Sequence, residues 1–157
     1  MKLVKTDRSI IVYILLSIFT LGLYGFVFVH GLAKDVNTMC ADDGKTTQGL
    51  LVYLLLTLLT CGIYSIFWWY GVSERIHNTA ARRNIANVDI SGGTFLLWYL
   101  LGFFVCTFLI FVAFHKLFEG CNNIGNEYNT CVRSGLNPYA PVGSFYAQQP
   151  PMGGQWQ

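Results

Sequence analysis

YILLSIFTLGLYG at residues 13–25 and YLLLTLLTCGIYS at residues 53–65 are one segment written twice, 40 residues apart. Tyr13, Ser17, Thr20, Tyr24 and Gly31 recur as Tyr53, Thr57, Thr60, Tyr64 and Gly71. Steps of 4, 3, 4 and 7 put those five positions on one stripe of an α-helix, a polar seam along an otherwise apolar run. Such a seam predicts a surface on which helices meet in an apolar solvent, because a hydroxyl buried among hydrocarbon seeks a polar mate.

The apolar runs extend from Ile10 to Val29, Leu50 to Tyr70 and Phe95 to Phe114, and none contains Asp, Glu, Lys or Arg. Each holds about twenty residues, or ~30 Å of helix, the thickness of a bilayer's hydrocarbon core. With 54% hydrophobic and 11% charged residues the chain lies far from the soluble norm of ~25% charged, so three membrane spans are the first expectation. A secretory signal peptide is the alternative for the first run, since Lys2, Lys5 and Arg8 precede it, but such h-regions run only ~7–15 residues. A net charge of +2, spread through every loop without a basic cluster, argues against nucleic acid as a partner.

A third copy of the repeat, beginning at Trp98 within the third run and ending at Phe114, departs from the pattern: Phe103, Cys106 and Ile110 stand at hydroxyl positions and Phe108 at the glycine. It reads as a decayed repeat or one that faces lipid. Each run continues into a polar stretch with one apolar face: Leu32, Val36 and Met39, then Val72, Ile76 and Ala80, then Leu117, Cys121, Ile124 and Tyr128. Two placements fit these stretches, flat on the membrane surface or protruding into water. The expected fold is therefore an all-α integral membrane protein of three repeated hydrophobic helices, each followed by a short amphipathic helix. The membrane domain covers 1–134, with repeats at about 8–42, 48–88 and 94–130, and a Pro-, Gly-, Gln- and Tyr-rich tail at 135–157 is predicted to be disordered. Tyr139, Phe145, Tyr146 and Trp156 in that tail could act as adhesive points.

Gly22 and Gly62 sit near the middle of their runs and admit two geometries. Either they kink a continuous span, or they break it so that the chain returns to its starting side with arms of ~15 Å. Exposed peptide groups at such a turn would cost several kcal/mol each, which favours the kinked span. The Lys and Arg count, three-two-three-two along the successive loops, gives only a faint topological bias and also suits loops that all lie on one side. Trp68, Trp69, Tyr70, Trp98 and Tyr99 read as interfacial anchors, with aromatic core packing as the alternative.

No catalytic or metal constellation is visible, and no cofactor is indicated. The five cysteines include no C-x-x-C pair, and Cys61 and Cys106, inside apolar runs, read as packing residues. Cys106 and His115, the nearest nucleophile and base, lie nine residues apart on one helix, ~13 Å and out of hydrogen-bond reach.

Where TCGIYSIFWWY, residues 60–70, is followed by Ser73, Glu74 and Arg75, the chain resembles an uncharacterised bacterial family of small membrane proteins with tandem T-x-G-I-Y segments, known as a domain of unknown function. The resemblance covers most of residues 8–130 and implies a bacterial membrane setting, but it carries over no activity. A non-enzymatic, multi-pass protein of the bacterial cytoplasmic membrane is expected, partnered by the bilayer and by copies of itself or another membrane protein. Its expected role is that of a self-associating scaffold or membrane-shaping protein, with a small channel or transporter subunit as the alternative.

Overall fold

The computed structural model describes residues 2–142. Six helices follow one another: α1 (Ile10–Phe19), α2 (Leu23–Met39), α3 (Leu50–Leu59), α4 (Ile63–Arg83), α5 (Gly92–Phe104) and α6 (Phe108–Arg133). A single 3-10 turn, Ala41–Asp43, lies between α2 and α3. Among the described residues there is no strand, and no helix is long and apolar enough to cross a membrane.

The expected spans are thus replaced by three helical hairpins. The rings of Tyr13 and Phe28 lie 4.8 Å apart, and those of Tyr53 and Trp68 5.0 Å apart. Fifteen residues along an unbroken helix would separate them by ~22 Å, so each apolar run folds back on itself. The third run does the same at Val105–Thr107, although it has no glycine at the turn. Its arms close on Gly102, where an added Cβ would stand 2.4 Å from Ile110 Cγ1 and 2.6 Å from the Ile110 backbone nitrogen.

The long second arms run parallel. Phe28 meets Phe118 at 4.8 Å and Trp69 meets Phe114 at 4.9 Å near the hairpin end. At the far end the Arg83 guanidinium donates to the Met39 carbonyl at 2.7 Å, and the Tyr139 hydroxyl to the Thr38 carbonyl at 3.2 Å. All three turns therefore lie at one end of the molecule and all inter-hairpin connections at the other.

The amphipathic faces neither lie on a surface nor protrude; they form the core of the base. Nine residues past the first residue of each long helix stand Leu32, Val72 and Leu117; thirteen past stand Val36, Ile76 and Cys121; sixteen past stand Met39, Thr79 and Ile124; all nine are buried. The repeat continues, in other words, as a shared interior built from three equivalent helix faces. Above it a chain of ring contacts, Tyr13, Phe28, Phe118, Phe114, Trp69, Trp68 and Tyr53, links the hairpins to one another.

Residues 2–9 run extended across α6. Asn129 accepts from the Val4 N–H at 2.9 Å and donates to its carbonyl at 2.8 Å, and Asn122 treats Arg8 the same way at 3.0 and 2.8 Å. The extended segment passes over Gly125, where a Cβ would come within 2.9 Å of Thr6 Cγ2. The first part of the presumed tail also belongs to the fold: Tyr139 packs on Tyr128 and lies under the Arg83 guanidinium, 5.3 Å from the ring centre. Phe145, Tyr146 and Trp156 lie outside the described residues.

Candidate functional site: the apolar hairpin tips

At each of the first two turns the backbone closes its own hydrogen bonds. Phe19 ends α1, Leu21 (φ 51°) and Gly22 (φ 90°) adopt left-handed conformations, and α2 starts at Leu23. The Gly22 N–H donates to the Ser17 carbonyl at 2.7 Å and the Leu21 N–H to that of Ile18 at 3.2 Å, the bonding of a Schellman cap. The Leu23 N–H reaches the Thr20 carbonyl at 3.1 Å, the Gly25 N–H that of Gly22 at 3.0 Å, and the Tyr24 N–H the Thr20 hydroxyl at 2.9 Å. That hydroxyl donates in turn to the Leu16 carbonyl at 2.7 Å. Cys61 (φ 50°), Gly62 (φ 93°), Thr60 and Tyr64 repeat every one of these bonds within 0.1 Å.

Five consecutive N–H groups are thereby satisfied without water, which removes the objection that weighed against a hairpin in an apolar medium. The T-x-G-x-Y element is a self-capped reversal. Thr20 and Thr60 cap helices within their own hairpin instead of bonding a neighbouring helix. Changing either to Val is expected to cost about 1 kcal/mol, the usual worth of a cap, and to leave the oligomer distribution alone. Urea titration of the two variants checks this, and an unchanged midpoint would refute the capping role.

The seam is accordingly not one stripe. Tyr13 and Tyr53 face the second arm of their own hairpin, packing on Phe28 and Trp68, and the Tyr13 hydroxyl lies 3.6 Å from where a Gly25 Cβ would stand. Ser17 and Thr57 are half-buried on the first arms. Gly31 and Gly71 have open space where a Cβ would be. Gly22 and Gly62 are breaks and not kinks, with the left-handed turn beginning one residue earlier. Trp68 and Trp69 are buried, Trp68 donating from Nε1 to the Gln48 carbonyl at 3.0 Å, so they are core residues and not interfacial anchors. Trp98 and Tyr99 pack partly buried against the same core, while Tyr70 stays exposed. Cys61 and Cys106 are exposed at the turns instead of packed; Cys40, Cys121 and Cys131 are the buried thiols.

The tips are apolar and bare. Phe19 is 84% exposed, Leu21 94%, Leu58 80% and Phe104 78%. Counted from the turns, the first charged residues on the second arms are Lys34, Glu74 and Lys116, nine to twelve residues along. At 1.5 Å per residue the charge-free depth is ~14–18 Å on every hairpin.

The base below carries the ion pairs. Arg75 donates from Nε to Asp43 Oδ2 at 2.6 Å and from Nη2 to Oδ1 at 2.8 Å. It also reaches Asn37 Oδ1 at 2.6 Å, Thr47 Oγ1 at 2.9 Å, and the carbonyls of Cys40 and Lys45. Asp42 takes Arg82 and Arg83, and Asp35 takes Arg8. Burial works against the Asp43 charge, but the Arg75 hydrogen bond and the Lys45 N–H outweigh it and hold the carboxyl below its ordinary range. The Asp42-Asp43 pair receives three arginines of α4, a role for which the sequence around it carries no local signal.

No curated protein and no solved structure matches the chain. A family model matches residues 8–51 and 48–123, which together take in all three hairpins and most of the base. By that match the chain belongs to the family described as Domain of unknown function (DUF4234).

Proposed function

We propose that this is a monotopic, membrane-shaping protein whose three hairpins insert side by side into one leaflet while the base stays at the headgroups. One observation carries the reading: on every hairpin the charge-free depth, ~14–18 Å, equals about half the ~30 Å hydrocarbon core, and all three tips share one end. The self-capped turns support it, since they leave no N–H of the first two reversals in need of water. The even spread of Lys and Arg also suits loops that all remain on one side. Insertion to half depth adds cross-section to one leaflet only, so a cluster of such chains bends the bilayer toward that side. A bacterial inner-membrane setting and a non-enzymatic scaffold role complete the proposal.

The chain's own thiols provide the test. Cys61 and Cys106 stand exposed at two tips, whereas Cys40, Cys121 and Cys131 are buried and burial pushes the Cys121 thiol up to about 12. At neutral pH an alkylating fluorophore is expected to modify only the two tip cysteines of the folded protein. In vesicles both labels should be quenched by lipids brominated at the chain ends, and a label at Gly44→Cys by aqueous iodide. Tip labels that iodide reaches as readily as the Gly44 label would defeat the insertion reading.

A further inference from the structure

Two grooves in the molecule are copies of each other. One, of about 170 Å³, lies beside α2 over Gly31; the other, of about 320 Å³, lies beside α4 over Gly71. Every one of the seven residues lining the first has its partner 40 positions on lining the second. The duplicated seam thus survives in the fold as a duplicated cleft, and no helix fills it.

Each groove is polarised along its length. Tyr24 or Tyr64 stands near the hairpin tip, Phe28 or Trp68 forms an aromatic wall below it, and the glycine leaves the floor open. The polar end lies eleven residues, or ~16 Å, further along the helix at Asp35 or Arg75. There the arginines are committed, Arg8 to Asp35, Arg75 to Asp43, Arg82 to Asp42, and Glu74 accepts from the Gly92 N–H at 2.9 Å. The lysine at each rim is not: Lys45 makes no ion pair among the described residues, and Lys5 has only exposed Asp7 at 3.8 Å.

We propose that the grooves are two equivalent sites for an anionic phospholipid of the host leaflet, with the phosphate on Lys5 or Lys45 and the upper acyl chain along the aromatic wall toward the tip. The inference rests on the insertion reading above: groove polarity, cation at the base and apolar wall toward the tip, then runs in the same sense as a lipid in that leaflet. The third repeat makes no such site. Taking the helix starts Ile63 and Phe108 as register, Lys116 replaces the glycine and Leu109 the tyrosine. The stoichiometry is therefore two lipids per chain, not three.

The test uses the full chain in mixed micelles of phosphatidylglycerol or phosphatidylcholine, with retained lipids counted by native mass spectrometry. Wild type should hold two phosphatidylglycerols. Gly31→Leu and Gly71→Leu should each remove one and the double variant both; a Cβ at either position meets nothing within 4 Å and leucine favours helix, so the fold persists. Lys5→Gln with Lys45→Gln should lower the preference for phosphatidylglycerol over phosphatidylcholine about fivefold per site. Two lipids retained by the double leucine variant would overturn the proposal, as would displacement by excess inorganic phosphate, which would mark a plain phosphate site. If tip labels remain quenched from the bilayer centre while the lipid count ignores the glycines, only the grooves fall; if the quenching itself fails, the insertion reading falls with them.

Discussion

Leu21→Asp, Leu58→Asp and Phe104→Asp introduced together should abolish flotation with neutral vesicles while leaving the base folded. Each side chain is at least three-quarters exposed and the only ring contact among them is that of Phe104 with exposed Phe103, so each loss in water should change stability by no more than about 0.5 kcal/mol. In the bilayer the same changes act at the deepest point of the hairpins. An aspartate near the midplane costs about 2.5–3.5 kcal/mol on the insertion scale, so three cost roughly 8–10 kcal/mol, about a millionfold in partition. A single Leu21→Asp should already lower binding about a hundredfold, and the left-handed φ of 51° there suits Asp better than Leu. Circular dichroism and thermal melting without lipid control for the fold. Flotation that survives the triple change would mean that the tips are not the membrane contact.

Arg75→Gln acts on the opposite end of the molecule and on stability instead of binding. Arg75 and Asp43 side chains are each 5% exposed, and removing the guanidinium leaves a buried carboxylate with only backbone support. Breaking one side of such a pair costs about 3–5 kcal/mol, a large part of a small domain's total. The acid behaviour shifts with it. In the wild type the folded Asp43 pKa is depressed, so its contribution is complete above the ordinary carboxylate range and is lost as pH falls through the folded value. Without Arg75, burial remains and the hydrogen bond that outweighed it is gone, so the carboxyl should take up a proton at higher pH and the stability difference between variant and wild type should narrow below that range. Chemical denaturation at pH 7 and in the acid range measures both effects. Equal stability of the two proteins at pH 7 would show that Arg75 does not hold the loop between α2 and α3.

The hairpin was hidden from sequence reading for a specific reason. A Schellman reversal normally places glycine at its first left-handed position, yet here Leu21 and Cys61 occupy it and the glycines follow. A non-glycine residue in that conformation costs roughly 1–2 kcal/mol, so the local pattern argues for a continuous helix. The compensation comes from the Thr20 and Thr60 hydroxyls, which bond across the break. The same residues that suggested an unbroken polar stripe are the ones that make its interruption tolerable.

Other differences share a cause in distance along the chain. Trp68 and Trp69 have the composition of interfacial anchors, and only the approach of Tyr53, Phe95 and Phe114 turns them into core. Nothing near Asn122 or Asn129 announces that each holds both the N–H and the carbonyl of a residue more than 110 positions away. Tyr139, read as part of a loose tail, is held by Thr38 and Arg83 from two other helices.

The amino-acid order alone determined the repeat, the charge-free lengths, the apolar faces of the three amphipathic stretches and the residues of the T-x-G-x-Y element, because each is a matter of spacing within a few helical turns. Tertiary structure decided that the runs fold back, that the amphipathic faces meet as one core, and that the free part of the seam becomes a pair of grooves. Helical periodicity specifies which side chains share a face, and it is identical on either side of a reversal; what that face meets is set by contacts between segments far apart in the chain.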